Sequence, residues 1–415
     1  MSKSVFDVVV VGAGIVGAAT ARQLAISRPA LSIALIDKEA HVAGHQSGHN
    51  SGVIHAGIYY VPGSLKAKLC VQGIDLAYDY LNQKGIPHKK VGKLIVATDE
   101  TKVKNLEVLF DRATKNGCRD IELVDAKRIK ELEPLCRGIK AIWSPHTGIV
   151  DWGLVTKHYV NDFEASGGQL FLKHGLRKIS HLADSGTHPV LIETDGSKAP
   201  KISCKHLITC TGVYSDRIAQ LTGCDVLPKM VPIRGEYLKL KPHKSGMVKT
   251  NIYPVPDPRF PFLGVHFTPN MKGEILLGPN AVLAFSREGY KFFDFSPKDF
   301  IDAVSYSGIR KLMFKYFAFG FGQVYRSFVT RAQVKELQEF VPSLTVADVE
   351  AGPAGVRAQA IGANGDLIDD FIFDGGEGAL GSRVLHVRNA PSPGATSSLA
   401  IAKMIVDQAA DKFKL

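Results

Sequence analysis

Three features of the sequence predict an α/β fold with an inserted α+β domain built on a largely antiparallel sheet. An apolar run, Val8 to Val11, enters a glycine-rich turn and then a helical pattern; a second apolar run ends in an acid; and from Val231 to about Pro342 the text changes to short strands set off by Pro and Gly. The first two features make a strand, helix, strand unit. The third reads as antiparallel sheet.

The turn is Gly12-Ala13-Gly14-Ile15-Val16-Gly17. Gly12 permits the sharp exit from the strand, Gly14 lets backbone approach a pyrophosphate, and Gly17 lets the helix pack closely on the sheet. The positive helix N-terminus then meets the phosphates. Ile15, Val16, Ala18, Ala19, Ala21, Leu24 and Ala25 follow at helical spacing, and Ile33 to Ile36 ends in Asp37 and Lys38. Asp37 lies about twenty residues past the last glycine, where a carboxylate accepts hydrogen bonds from an adenosine ribose. A Gly-rich turn alone could be purely structural, but strand, turn, helix, strand and acid in this order form a Rossmann-like dinucleotide fingerprint. Gly12, Gly14, Ile15, Val16, Gly17, Asp37 and Lys38 are the expected contacts.

The pattern continues with a helix from Ser64 to Lys84, a strand from Gly92 to Thr98, and helices from Glu100 to Asn116 and Asp125 to Glu133, the last closed by Pro134. Trp152 to Ser166 reads as a helix, Gln169 to Lys173 as a strand, and Leu176 to Ser180 with Val190 to Thr194 as a hairpin-like pair. Lys205 to Thr209 is a buried strand running into Thr211-Gly212, where backbone would come close to a nucleotide. Short strands follow at Gly235 to Leu240, Asn251 to Val255, Leu263 to Thr268 and Glu274 to Gly278, then helices at Pro297 to Phe317 and Arg331 to Phe340. Ala351 to Ile361, Leu367 to Phe373, Arg383 to Arg388 and a final helix from Ala395 to Lys412 complete the chain. These changes divide it into a discontinuous nucleotide-binding domain, 1–90, 145–225 and 345–415, and an inserted domain, 91–144 and 226–344.

The 415 residues, 45% hydrophobic and 22% charged, suit a soluble globular protein. No apolar run reaches the roughly 18 residues that span a bilayer, and no secretory signal opens the chain, so an organelle-targeting segment would have to lie upstream of Met1. The six cysteines form no CxxC pair and have no histidines at zinc-ligand spacing; buried reduced thiols are expected, and no metal. A net charge of +11 is spread along the chain without interleaved aromatics, which argues against nucleic acid and fits steering of an anionic substrate. Ile309 to Phe319 mixes bases with large apolar groups, as an interfacial membrane helix would; core packing is the competing reading.

A second glycine-rich stretch, His49-Asn50-Ser51-Gly52-Val53-Ile54-His55-Ala56-Gly57-Ile58-Tyr59-Tyr60, follows the second strand. It resembles the D-amino-acid oxidase-like family of FAD-dependent oxidoreductases. The resemblance covers nearly the whole chain, including Ser64 to Cys70, Pro145 to Asp151, Asn251 to Pro256, Gly352 to Gln359 and Val387 to Ser398. It implies FAD in an extended form, with Asn50, Ser51, Gly52, Thr211, Gly212, Gly394, Ala395, Thr396 and Ser397 joining the cofactor contacts. Within the family it points to oxidation of a 2-hydroxy diacid, L-2-hydroxyglutarate, to 2-oxoglutarate. It also implies a mitochondrial, inner-membrane-associated enzyme passing electrons to an acceptor other than nicotinamide, such as a quinone. A flavin amino-acid or amine oxidase using oxygen is the enzyme alternative, and a non-catalytic basic module the alternative of another class.

Such chemistry needs a carboxylate clamp, a base for the hydroxyl proton and a hydride path. His55, in the loop expected at the ring, is the candidate base, or else a histidine bonded to cofactor or loop. His49 is expected to position the loop or a phosphate. Arg357, whose planar fork meets two oxygens, is the candidate clamp, against an ordinary ion pair. Tyr253, His266 and Tyr60 are candidate substrate contacts, with core packing the rival for Tyr253 and His266. Lys66, Lys68 and Arg234 are weighed as partners for a second carboxylate, with a solvated surface position the favoured reading for each. Gly394 to Ser397 is expected to open the last helix, its N-terminus facing the flavin or simply capped by Ser392 or Thr396.

Overall fold

The computed structural model describes residues 4–183, 186–195, 201–257 and 264–415. Strand β1 (Ser4–Val11), helix α1 (Ile15–Ser27) and strand β2 (Ile33–Ile36) form the expected unit. β1 pairs in parallel with β2 on one side and with Ile202–Thr209 on the other, Val11 facing both Ile36 and Thr209. Gln169–Phe171 extends the sheet beyond β2, while Val384–Asn389 lies parallel to the end of Ile202–Thr209. The antiparallel pair Leu176–His181 and Val190–Thr194 completes one edge. Every residue of β2 is buried, as expected of a parallel strand covered on both faces. α1 is buried nearly all round, between helices Trp152–Ala165 and Ser398–Phe413; alanines at 18, 19, 21 and 25 allow that close approach.

The second sheet is largely antiparallel and runs in the order 367–368, 349–361, 229–240, 275–278, 266–269, 251–254, 93–97, 140–144, 122–125. One parallel pairing, Asn251–Pro254 with Lys93–Ala97, sets Tyr253 opposite Ile95 and Asn251 opposite Lys93. Its core holds Phe267, Leu277, Leu94 and Leu337. A small third sheet joins strand β3 (Val53–Ile54) to Gly148–Val150 and His88–Lys89, anchoring the loop before helix α2 (Leu65–Gln83), which Ser64 caps. The division of the chain at 345 stands as a proposal; the long strand Val349–Ile361 is hydrogen-bonded to Lys229–Leu240 in the second sheet.

Three elements differ from expectation. Pro297 to Phe317 is not one helix but Pro297–Ser305 and Ser307–Lys315, with Phe317–Phe328 following, because Tyr306 is extended and turns the chain so that Ile309 and Leu312 reach Val231 and Ile361. Leu367 to Phe373 splits between the sheets, 367–368 in the second and 372–374 in the first. The final helix begins at Ser398 rather than Ala395, since residues 394–397 form a turn tied to the β3 loop. Leu263, read as a strand start, lies outside the described residues; the strand found is His266–Pro269. The six cysteines are free thiols, and all but Cys210 are buried.

Candidate active site

A cavity of about 1010 Å³ runs from the β1 turn, past the His49 to Tyr60 loop, to the second sheet. At one end Gly12 has φ +104°, and a Cβ there would sit 2.4 Å from the Cys210 carbonyl oxygen. α1 starts with Gly14 as its N-cap, without a side-chain cap and without an acid in its first turn, so its positive end is left for an anion. Ser47 supports the turn, its Oγ accepting from Ile15 N–H at 2.8 Å. Asp37 accepts from Ala13 N–H at 2.6 Å through Oδ2 and from Glu39 N–H at 2.8 Å through Oδ1. Each oxygen keeps a lone pair, so the carboxylate can hold the turn and still meet a ribose. The buried Thr211 hydroxyl lines the cavity with no partner among the described residues, beside Gly212 at φ +53°. A helix N-terminus with no acid in its first turn, glycines where backbone must come close and a hydroxyl without a partner among the described residues fit the phosphates and ribose of a dinucleotide.

Some expected cofactor contacts shape the site from behind. A Cβ on Gly17 would lie 1.8 Å from the Gly12 carbonyl oxygen, so this glycine serves the packing of helix on turn. Gly52, at φ +74°, backs onto the Val150 carbonyl rather than the cavity, and buried Ser397 packs against Gly73 of α2. Lys38 borders the cavity with its ammonium bonded to Glu39, Glu288 and His45, which together occupy it. Gly14, Ile15, Val16, Asp37, Asn50, Ser51, Gly394, Ala395 and Thr396 do line the cavity. Asn50 braces its own loop, donating to the Gln46 and Ser47 carbonyls and accepting from Gly52 N–H. His49 stacks on Tyr290 at 4.2 Å and bonds the His45 carbonyl, in keeping with a loop-positioning role. Thr396 caps no helix; its hydroxyl accepts from His55 N–H at 3.0 Å and fixes the loop that carries His55.

All five candidate chemical residues line the cavity, which here lies between the loop and the second sheet. His55, Tyr253, His266 and Arg357 border one stretch of cavity, and Tyr60 lies nearby with the Lys66 ammonium over its ring. Tyr253 and His266 stack at 3.9 Å with 7° between their planes, and His266 Nδ1 lies 3.0 Å from the Thr268 hydroxyl. Burial, and then electrostatic repulsion of a charged ring by the neighbouring Lys93, His266 and Arg357, hold the His55 imidazole well below its usual value. Burial with Lys93 and Arg357 pushes His266 down to about 3. Both rings are therefore neutral near pH 7, and a neutral imidazole is a competent base. Arg357 projects from the strand that pairs with Lys229–Leu240, so the second sheet supplies the cation and the loop supplies the base.

Of the three cations weighed for a second carboxylate, Lys66 borders the cavity, paired with Asp369 at its rim. Lys68 is exposed on α2, away from the cavity, and Arg234 is buried against Glu236 at 2.9 Å. Sequence reasoning passed over Tyr59, Arg112, Tyr237 and Lys93. Tyr59 presents a buried hydroxyl with no partner among the described residues; Arg112 donates to the Tyr59 carbonyl at 3.0 Å; Tyr237 and Ser51 line the same cavity. Lys93 places Nζ 3.5 Å from His55 Nδ1. Tyr59 stood within the quoted loop, and a lysine opening an apolar strand was the available signal for Lys93.

Fold and site together define a flavin-dependent oxidoreductase, and the chain belongs to the family described as FAD dependent oxidoreductase, whose model matches residues 7–408. Its cofactor is FAD. Within that family it belongs with proteins named mitochondrial L-2-hydroxyglutarate dehydrogenase: it is 60% identical to that of Caenorhabditis briggsae over 410 residues, 99% of this chain and 94% of the relative. With that of Homo sapiens it shares 51% over 421 residues, 100% of this chain and 90% of the relative. The fold is also that of an L-alpha-glycerophosphate oxidase from Mycoplasma pneumoniae with FAD bound, at TM-score 0.76 and 24% identity, covering 99% of this chain and 95% of the other. A glycine oxidase from Geobacillus kaustophilus matches at TM-score 0.69 and 17% identity, with the same coverage.

Proposed function

We propose that this chain oxidises L-2-hydroxyglutarate to 2-oxoglutarate in mitochondria and passes the electrons to a non-nicotinamide acceptor such as a quinone. One observation carries the reading: a neutral imidazole, His55, and a guanidinium, Arg357, face the same stretch of the cavity that begins at the dinucleotide turn. Arg357 grips the substrate 1-carboxylate, while Tyr253 and His266 wall the space beside C2 and Tyr60 and Lys66 lie toward the far carboxylate. His55 takes the hydroxyl proton as the C–O bond gains double-bond character. When bound, FAD supplies at N5 of its ring the acceptor for the hydride from C2. The whole-chain relationship to proteins carrying that substrate's name supports the choice of diacid over amino acid.

The test is an anaerobic titration of the purified holoprotein with L-2-hydroxyglutarate, its D enantiomer, malate and glycine, followed by quinone or oxygen. The L diacid bleaches the flavin absorbance, the other three do so poorly or not at all, and quinone restores the colour faster than oxygen. Absence of bleaching with the L diacid overturns the substrate assignment.

Membrane attachment is part of the same proposal. Phe293, Phe314, Phe317, Phe321 and Phe328 are exposed on the segment 285–328, together with Lys291, Lys298, Arg310, Lys311 and Lys315. No helix among the described residues is long and apolar enough to cross a bilayer, and an interfacial contact does not require one.

A further inference from the structure

Lys93 opens the strand Lys93–Ala97 and is 1% exposed, yet among the described residues no carboxylate pairs with it. Its ammonium stands 4.3 Å from the Tyr253 ring centroid and 5.4 Å from that of Tyr59, with His55 Nδ1 3.5 Å away. A methionine would fill such a space without the cost of an uncompensated buried charge. Among the described residues the surrounding elements offer no counter-ion. Cys70 on α2 and Cys118 beyond helix Glu100–Lys115 have thiols raised by burial, the phenols of Tyr59 and Tyr253 are raised likewise, and the imidazoles of His55 and His266 are held neutral. The further cation acting on these imidazoles is Arg357. Burial accordingly pushes the Lys93 amine down to about 7, so that it changes charge near neutrality.

We propose that Lys93 is a positioning residue for the base: its uncharged amine accepts a hydrogen bond from His55 Nδ1–H, turns bare Nε2 toward the cavity, and takes the Nδ1 proton as Nε2 gains one. This inference rests on the reading of His55 as the base. In the balanced step, the substrate O–H bond breaks and an Nε2–H bond forms, while Nδ1–H breaks and Nζ–H forms. The positive charge ends on Lys93, and the electron pair leaves C2 with its hydrogen in the oxidation already described. The lysine also explains how an imidazole so resistant to protonation can act as a proton acceptor, since it need not hold a net charge.

The experiment compares the holoenzyme with Lys93→Met and Lys93→Arg. In the wild type kcat rises with pH through about 7 as the amine loses its proton. Lys93→Met loses that limb and its kcat falls roughly ten- to a hundredfold, while KM moves less than about threefold and Tm holds or rises. Lys93→Arg, always charged, does not rescue it. NMR of protein with labelled lysine Cε provides a readout independent of turnover: one resonance titrates near pH 7 and is missing in Lys93→Met. A Lys93→Met enzyme with the wild-type rate and pH profile overturns the proposal, and so, should that variant fail to fold, does a wild-type spectrum in which no lysine titrates between about 6 and 8. A wild type that does not oxidise L-2-hydroxyglutarate, or a His55→Ala variant with full activity, would instead overturn the underlying reading.

Discussion

The Tyr59 hydroxyl is buried at the cavity wall without a hydrogen-bond partner among the described residues, although the backbone around it is well tied, its carbonyl accepting from Arg112. A lone buried hydroxyl costs the free protein about 1–3 kcal/mol, a cost that a substrate oxygen arriving in the cavity would offset. Tyr59→Phe removes the group while keeping the ring beside Lys93. Thermal unfolding of this variant should therefore occur at the wild-type temperature or slightly above it, while KM for L-2-hydroxyglutarate rises about five- to twentyfold and kcat changes little; an unchanged KM would leave the hydroxyl without a role in binding. Residues of this kind were only partly legible in the sequence. His55, Arg357 and Tyr253 stood in recognisable stretches, but the closeness of Lys93 to His55 depends on strand Asn251–Pro254 lying parallel to Lys93–Ala97, a register between segments far apart in the chain. Tyr237 was hidden for a similar reason, because only its strand's place in the second sheet brings it to the cavity wall.

Helix α1 rests on its turn through glycines with different duties. At Gly17 an added methyl would lie 1.8 Å from the Gly12 carbonyl oxygen and 3.2 Å from Cys210 Cβ, backbone and core that cannot yield without moving the helix off β1. At Gly14 the nearest atom is the Ser47 hydroxyl oxygen, at 3.2 Å, on a side chain able to rotate. Gly17→Ala should thus destabilise the protein by about 3 kcal/mol or more and lose FAD with the fold, whereas Gly14→Ala should stay within about 1 kcal/mol and weaken FAD binding alone. Denaturant melts of the apoproteins and flavin titrations separate the two effects; equal stability loss in both would refute the division of labour. This unit was legible almost residue by residue, because its signals are local: apolar runs, helical spacing and glycines where backbone must come close. Legibility failed where a distant contact overrides local preference. The stretch from Pro297 breaks at Tyr306 so that Ile309 and Leu312 can reach the second sheet, and the last helix starts late because the Thr396 hydroxyl is engaged by His55 N–H.

Across the whole molecule, charge and apolar exposure coincide on one segment. The chain carries a net +11, and the helices Ser307–Lys315 and Phe317–Phe328 turn Ile309 and Leu312 inward while Phe314, 88% exposed, and Phe317 and Phe321 face outward among Arg310, Lys311 and Lys315. Such a face buried at the level of lipid headgroups gains from each inserted ring, and each nearby base adds about 1 kcal/mol on an anionic surface at low salt. The core-packing reading of Ile309 to Phe319 holds for Ile309 and Leu312, and the membrane reading of the exposed face stands as a proposal; the side chains of Ala318 and Phe319 lie outside the described residues. The acceptor proposed above favours a lipid surface as that partner, because quinones reside in membranes. Flotation with anionic vesicles should carry the holoprotein upward at low salt and less so at high salt, and neutral phosphatidylcholine vesicles should carry little. Replacing Phe314, Phe317 and Phe321 together by Ser should abolish flotation while leaving bleaching by the L diacid intact, because these side chains point away from the cavity. A wild-type protein that stays at the bottom of the gradient with anionic vesicles at every salt concentration would end the membrane reading.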